Sequence, residues 1–144
     1  MPSDPAAVPC VEVRCVEIVF PDHCNHLGSL FGGQALAWMD KAAFLAASRF
    51  SGRTVVTARS DRIDFREPVK LGDIVELVAT VTSVGRSSMT VRVSLLHETV
   101  PGSEPKPATT GEFVMVAVDA AGHAVSVGRA HPATAAHRGV DVSR

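Results

Sequence analysis

Residues 31–50, FGGQALAWMDKAAFLAASRF, are the feature that most limits what this chain can become. No other stretch combines such length with so few helix breakers. Set about 100° apart, only Gln34, Lys41, Ser48 and Arg49 gather into a polar stripe, about a third of the circle wide. The rest of the circumference is apolar or small, and a helix of that kind must be covered by other elements. Only strands are left to cover it. Residues 11–20 alternate in their first half, 54–66 are β-branched and alternating, and 74–84, 89–98 and 111–122 read as further strands. Val55, Thr57, Ile63 and Phe65 share one parity, as a strand period of 2 requires. GRSS at 85–88 is short enough to join its flanking strands as a hairpin. PDHCNHLGS, EPVKLGD and the proline-rich VPGSEPKPATT read as loop, turn and loop. One long helix wrapped by an antiparallel sheet is an α+β architecture.

The chain has 144 residues, the size of one domain. The boundaries expected are a proline-rich tail at 1–9, a folded domain at 10–122 and a weakly periodic Ala-, His- and Arg-rich tail at 123–144. A net charge of −1 gives the chain no global field for nucleic acid or a membrane surface. Three cysteines without framework spacing argue against a disulfide scaffold, and MPSDPAAVPC lacks the basic and apolar regions of a signal peptide. The expectation is a cytoplasmic protein.

Asp40 is the odd residue of the helix. Its neighbours three, four and seven positions away are Gly33, Leu36, Ala37, Ala43, Phe44 and Ala47. Aspartate is a poor residue inside a helix, because its side chain competes for backbone groups. Two readings follow: a solvated carboxylate at the edge of the stripe, or a general base in a cleft. The double glycine at 32–33 favours the second. Glycine lets a ligand approach the backbone, and the first amides of a helix are unpaired at the positive end of its dipole. An oxyanion is at home there.

Three motifs together resemble a known family. The first runs through Pro21, Asp22, Asn25, Gly28, Phe31, Gly32, Gly33 and Asp40. The second runs through Val55, Val56, Thr57, Asp61, Ile63 and Phe65, and the third is Gly85, Arg86, Ser87 and Ser88. In this order, over roughly residues 10–120, they resemble the acyl-CoA thioesterases of the hotdog fold. The resemblance implies a hotdog, one long central helix wrapped by an antiparallel sheet, and hydrolysis of acyl-CoA to free acid and CoA without a metal or other cofactor. It implies at least a homodimer with two interfacial sites, and admits a hexamer built as a trimer of dimers. Asp40 carries over as the base that activates water, Asn25 as a polar group supplied by the other subunit, and the amides at Gly32 and Gly33 as oxyanion donors. Gly85, Arg86, Ser87 and Ser88 carry over as a CoA-binding turn. Thr57 is a candidate for the pantetheine channel, and Arg59 for the 3′-phosphate.

Rival readings stay open beside this one. A hotdog can bind acyl-CoA without turnover. It can also act as a hydratase or dehydratase, which requires a histidine near the helix start, where His26 is the only candidate. His23, Cys24 and His26 lack a zinc-like spacing. His97, His123, His131 and His137 read as surface residues.

Overall fold

The computed structural model describes residues 11–128. Five strands and one long helix make the fold: β1 (Glu12–Ile18), α1 (Gly32–Ser51), β2 (Thr54–Phe65), β3 (Ile74–Val84), β4 (Ser88–Glu98) and β5 (Lys106–Val118), with a short 3-10 turn at Pro21–His23. The strands form one sheet in the order β1-β3-β4-β5-β2, antiparallel throughout. The helix lies across one face of this sheet, as its sequence requires.

Alternation in the strands decides which face is covered. Val75, Leu77, Ala79 and Val81 of β3, Met89, Val91, Val93 and Leu95 of β4, and Phe113, Met115 and Ala117 of β5 point to the helix and are buried. The helix meets them with Met39, Ala42, Ala43, Ala46 and Ala47, each fully buried. Four alanines on this face let the helix axis approach the sheet closely, so burial comes from the sheet's long side chains. Each fully buried Val or Leu contributes about 1.5–3 kcal/mol. The helix ends at Gly52, whose φ of 67° allows the left-handed cap, and its amide donates to the Ser48 carbonyl at 2.8 Å. No helix among the described residues is long and apolar enough to cross a membrane.

The exposed helix face is wider than the polar stripe. It includes Gly33, Ala37 and Phe44 as well as Lys41 and Arg49. Asp40 sits at its border, half-buried. Strand β2 shows a matching anomaly. It forms one edge of the sheet, and apart from buried Val55 and half-buried Ile63 all its residues are exposed. Val56 and Phe44, 47% and 40% exposed, leave apolar surface there.

The chain departs from the sequence reading in several places. β5 starts at Lys106, inside the stretch read as loop. Pro107 is tolerated because the pairing with β4 slips between Leu95 and Leu96, where the strand gives up regular bonding. Beyond β5 a turn at Asp119–His123 reverses the chain. Val125 then donates to the Ala117 carbonyl and Val127 to that of Arg86, and Val127 is buried in the core. Packed structure therefore continues past Gly122. Two irregularities interrupt β2, between Thr57 and Arg59 and between Asp61 and Asp64. Each adds a residue, so parity is lost at the first and regained at the second. At the second, Arg62 has φ 55°, and Ile63 lies over Gly111, where a Cβ would stand 2.4 Å from Ile63 Cδ1. Gly111 is glycine because Ile63 occupies that space.

Candidate active site

The loop before the helix is organised by Asn25. Its backbone exchanges hydrogen bonds with Ser29 and Gly28. Its side-chain oxygen accepts from the amides of Leu27 and Ser29 at 2.9 and 3.1 Å. Gly28, at φ 75°, completes the turn. Asn25 is thus half-buried and fixed by its oxygen. Its amide nitrogen has no hydrogen-bond partner among the described residues.

The helix start is bare. Phe31 is the N-cap and supplies no side-chain cap, and no acidic residue lies in the first turn. Ala35 is the first residue to bond back, to the Phe31 carbonyl at 3.0 Å. The amides of Gly32, Gly33 and Gln34 precede that bond, so the dipole's positive end is uncompensated. A Cβ on Gly33 would meet nothing within 4 Å, whereas one on Gly32 would touch the Phe65 ring at 3.4 Å. Next to this helix start is a cavity of about 360 Å³, whose lining includes Asn25, Gly32, Phe65, Arg66 and Glu67. Sequence reasoning missed Arg66 and Glu67, which it placed at the end of a strand and the start of a plain turn.

Asp40 lies elsewhere. Thr57 on β2 donates its hydroxyl to Asp40 Oδ1 at 2.6 Å, with the Met115 sulfur 3.6 Å from the same hydroxyl. The bond fixes one carboxylate oxygen, and the other has no hydrogen-bond partner among the described residues. A rise of 1.5 Å per residue puts Asp40 roughly 10–12 Å along the axis from the glycine amides. One thioester carbonyl has to lie within about 3 Å of its oxyanion donors. The glycine pair and Asp40 of one chain are thus about two turns apart along the helix, a gap that a carbonyl and a water together would have to span. The sequence reading placed those two together and only Asn25 across a boundary. The cavity at the helix start brings Gly32 and Asn25 together, and Asp40 lies about two turns further along the helix.

The remaining candidates divide between the two faces of the sheet. Thr57 pairs with buried Met115 on the helix side, but Arg59, past the first irregularity, pairs with Val114 on the outer side. Thr57 and Arg59 thus do not share a face. Gly85, Arg86 and Ser87 form the tight β3–β4 turn, and Ser88 opens β4 opposite Val116, which itself pairs with Val56. The turn is thus two strands, about 10 Å, from the start of β2. Arg86 is exposed and makes no side-chain hydrogen bond or ion pair among the described residues.

One histidine gains a role and one reading changes. His23 is a structural residue: its Nδ1 accepts from the Phe20 amide at 3.0 Å and its ring packs edge-on against Trp38 at 5.0 Å. His97, read as a surface residue, is buried, with Asp73 on Nδ1 at 2.9 Å and Glu67 on Nε2 at 2.6 Å. The signal was present, because His97 continues the inward parity of Met89, Val91, Val93 and Leu95. His26 and His123 are exposed; His131 and His137 lie outside the described residues. No group of three or more metal-ligating side chains occurs among the described residues.

Comparison with known proteins agrees with this fold. Residues 27–101 match the family described as the thioesterase superfamily. The acyl-CoA thioester hydrolase YkhA of Bacillus subtilis, itself described as uncharacterized, is 38% identical over 127 residues, covering 87% of this chain and 74% of its own. An acyl-CoA hydrolase of Staphylococcus aureus, solved with butyryl coenzyme A, coenzyme A and coenzyme A disulfide, superposes with a TM-score of 0.78 at 29% identity, covering 92% of this chain and 89% of its own. Variants of that enzyme solved with alanine replacing an asparagine, an aspartate and a threonine space those residues as Asn25, Asp40 and Thr57 are spaced here. A hexameric acyl-CoA thioesterase, solved in its apo form, superposes with a TM-score of 0.78 at 32% identity, covering 92% of this chain and 94% of its own. With the family matched over residues 27–101 and the fold shared from end to end of the described chain, this protein belongs to the thioesterase superfamily.

Proposed function

We propose that the chain hydrolyses acyl-CoA thioesters to the free carboxylic acid and CoA, at sites completed by a second copy of itself. The observation that carries this reading is the separation along α1. Asp40, held by Thr57, and the bare helix start beside Asn25 are complementary groups that one chain sets about two turns apart. A symmetric dimer presents the first half of each chain to the second half of the other. The open β2 edge and the exposed Phe44, one turn from Asp40 on the helix, are the surface such a dimer would cover. The names of the relatives support the reaction class, and the hexameric neighbour supports assembly beyond one chain.

The chemistry needs few parts. The amides at Gly32 and Gly33 take up charge on the thioester oxygen as it becomes an oxyanion, and the Asn25 amide nitrogen orients the carbonyl or the water. Asp40 of the other copy removes a proton from that water as it attacks. The tetrahedral intermediate collapses by breaking the carbon–sulfur bond, and the proton held by Asp40 passes to the departing thiolate. Arg86 with Ser87 and Ser88 offers a guanidinium and hydroxyls to the CoA phosphates. The test is release of free CoA from a panel of acyl-CoA chain lengths by wild type and Asp40→Ala. We expect turnover in the wild type and at least a ~100-fold loss in the variant. Full activity in Asp40→Ala, or tight binding with no turnover of any chain, would overturn it.

A further inference from the structure

His97 is placed where neither its strand nor the reaction explains it. Both ring nitrogens face carboxylate oxygens, Asp73 at 2.9 Å and Glu67 at 2.6 Å. An ionised carboxylate only accepts hydrogen bonds, and a neutral imidazole has only one N–H. Both contacts are satisfied together only when the ring carries both protons. The two ends of this chain differ in freedom. Asp73 is 1% exposed, and its Oδ2 also accepts from the Lys70 amide at 3.0 Å. The side chain of Glu67 is 43% exposed and has no other hydrogen-bond partner among the described residues. When the ring loses a proton, the remaining N–H stays with buried Asp73, because leaving that carboxylate unpaired costs most. The Nε2 lone pair then faces Glu67, and Glu67 is the group that moves.

Glu67 belongs to the wall of the cavity that holds Asn25 and Gly32. We propose that His97 is a positioning residue: its doubly protonated ring holds and neutralises Glu67 at the wall of that cavity, and its deprotonation frees an unneutralised carboxylate there. The released charge opposes an anionic ligand there, so binding weakens while the chemical step is untouched. The direction of the ring's titration agrees. Burial lowers the affinity of His97 for its second proton, but the hydrogen bonds and charges of Asp73 and Glu67 outweigh it and raise the pKa above the ordinary histidine value. Other charges reach the ring's surroundings from the neighbouring elements. Glu98, Glu104 and Lys106 line the adjoining cavity with His97 and Glu67, and Lys106 is its cross-strand partner on β5. None of them forms an ion pair with the ring.

This inference rests on the reading that the Asn25–Gly32 cavity takes the thioester, and its test separates the two. KM and kcat for an acyl-CoA are measured from pH 6 to 9.5 in wild type and Glu67→Gln, a variant that can accept from or donate to the ring in either state. The comparison also cancels titration of the substrate's own phosphates. Wild-type KM should rise roughly threefold or more through the titration of His97 with kcat unchanged, and Glu67→Gln should lack that step. A flat wild-type KM, or the same step in the variant, overturns the proposal. A second arm follows the His97 ring by NMR and hydrogen exchange of residues 66–69 over the same pH range. Glu67→Gln should move the ring's titration down and abolish the rise in exchange. If no acyl-CoA is hydrolysed, the proposed function fails, and this second arm decides the positioning role alone: an unmoved titration overturns it.

Discussion

Thr57 gives its hydroxyl hydrogen to Asp40 across the boundary between helix and sheet, with Oγ1 2.6 Å from Oδ1. A single short bond thus sets the orientation of the carboxylate proposed as the base. Replacing Thr57 by valine keeps its shape and removes the donor. We expect kcat to fall roughly tenfold with KM little changed, since a hydrogen bond to a charged group is worth about 1.5–3 kcal/mol and this one is partly open to solvent. Thr57→Ser should stay within roughly threefold of wild type. Steady-state kinetics on one acyl-CoA decides it, and equal kcat in Thr57→Val and wild type would remove Thr57 from the mechanism.

The proposed division of the site between two chains predicts complementation. Asn25→Ala and Asp40→Ala should each be nearly inactive. Expressed together in equal amounts, they form mixed dimers in half of all pairings, and one of the two sites in each mixed dimer is intact. About a quarter of wild-type activity should return. Zero recovery would place both residues in one site of one chain.

Gly111 and Ile63 form a second testable pair. A Cβ on Gly111 would stand 2.4 Å from Ile63 Cδ1. Gly111→Ala should cost about 1–3 kcal/mol, the usual range for overpacking. Ile63→Val removes the offending atom, so adding it to Gly111→Ala should recover part of the loss. Urea unfolding of the two single variants and the double variant gives the coupling. Additive losses would mean that the contact relaxes freely.

Stability should depend on pH through His97. Its pKa is raised in the folded protein, so the native state holds the proton more tightly than the unfolded chain. That contribution is fully present below the unfolded value near 6.5, and it is lost as pH rises through the folded value. The urea midpoint of wild type should therefore fall as pH rises above about 6.5. His97→Gln should be less stable at pH 6 but nearly flat over the same interval. A wild-type midpoint that rises with pH in that window would contradict the arrangement of Asp73, His97 and Glu67.

Much of the fold was legible because period and composition agreed. The helix at 31–50 fell within one residue of its observed ends, and β3 and β4 were found because alternation and the GRSS turn agreed. Asp40 stood out because no packing role explained it. The failures share a cause: each depended on a partner distant in sequence. Pro107 argued for a loop until β4 supplied a place where pairing slips. The added residues of β2 leave no trace in its alternation, because the two shifts cancel and the ends keep their parity. Thr57 and Arg59 therefore looked like companions although they face opposite ways. His97 kept the inward parity of β4, but the reason to bury a histidine there came only from the two carboxylates of the distant 67–73 turn.

The rise of the helix between Gly33 and Asp40 has a genealogical consequence. A gene for this chain encodes both halves, yet on the proposed reading each working site draws only one half from each copy. If two copies became joined in tandem, one repeat could lose its aspartate and the other its asparagine, and one competent site would survive. Selection would then hold the two repeats to different residues, and the joined protein would drift into asymmetry without passing through an inactive ancestor.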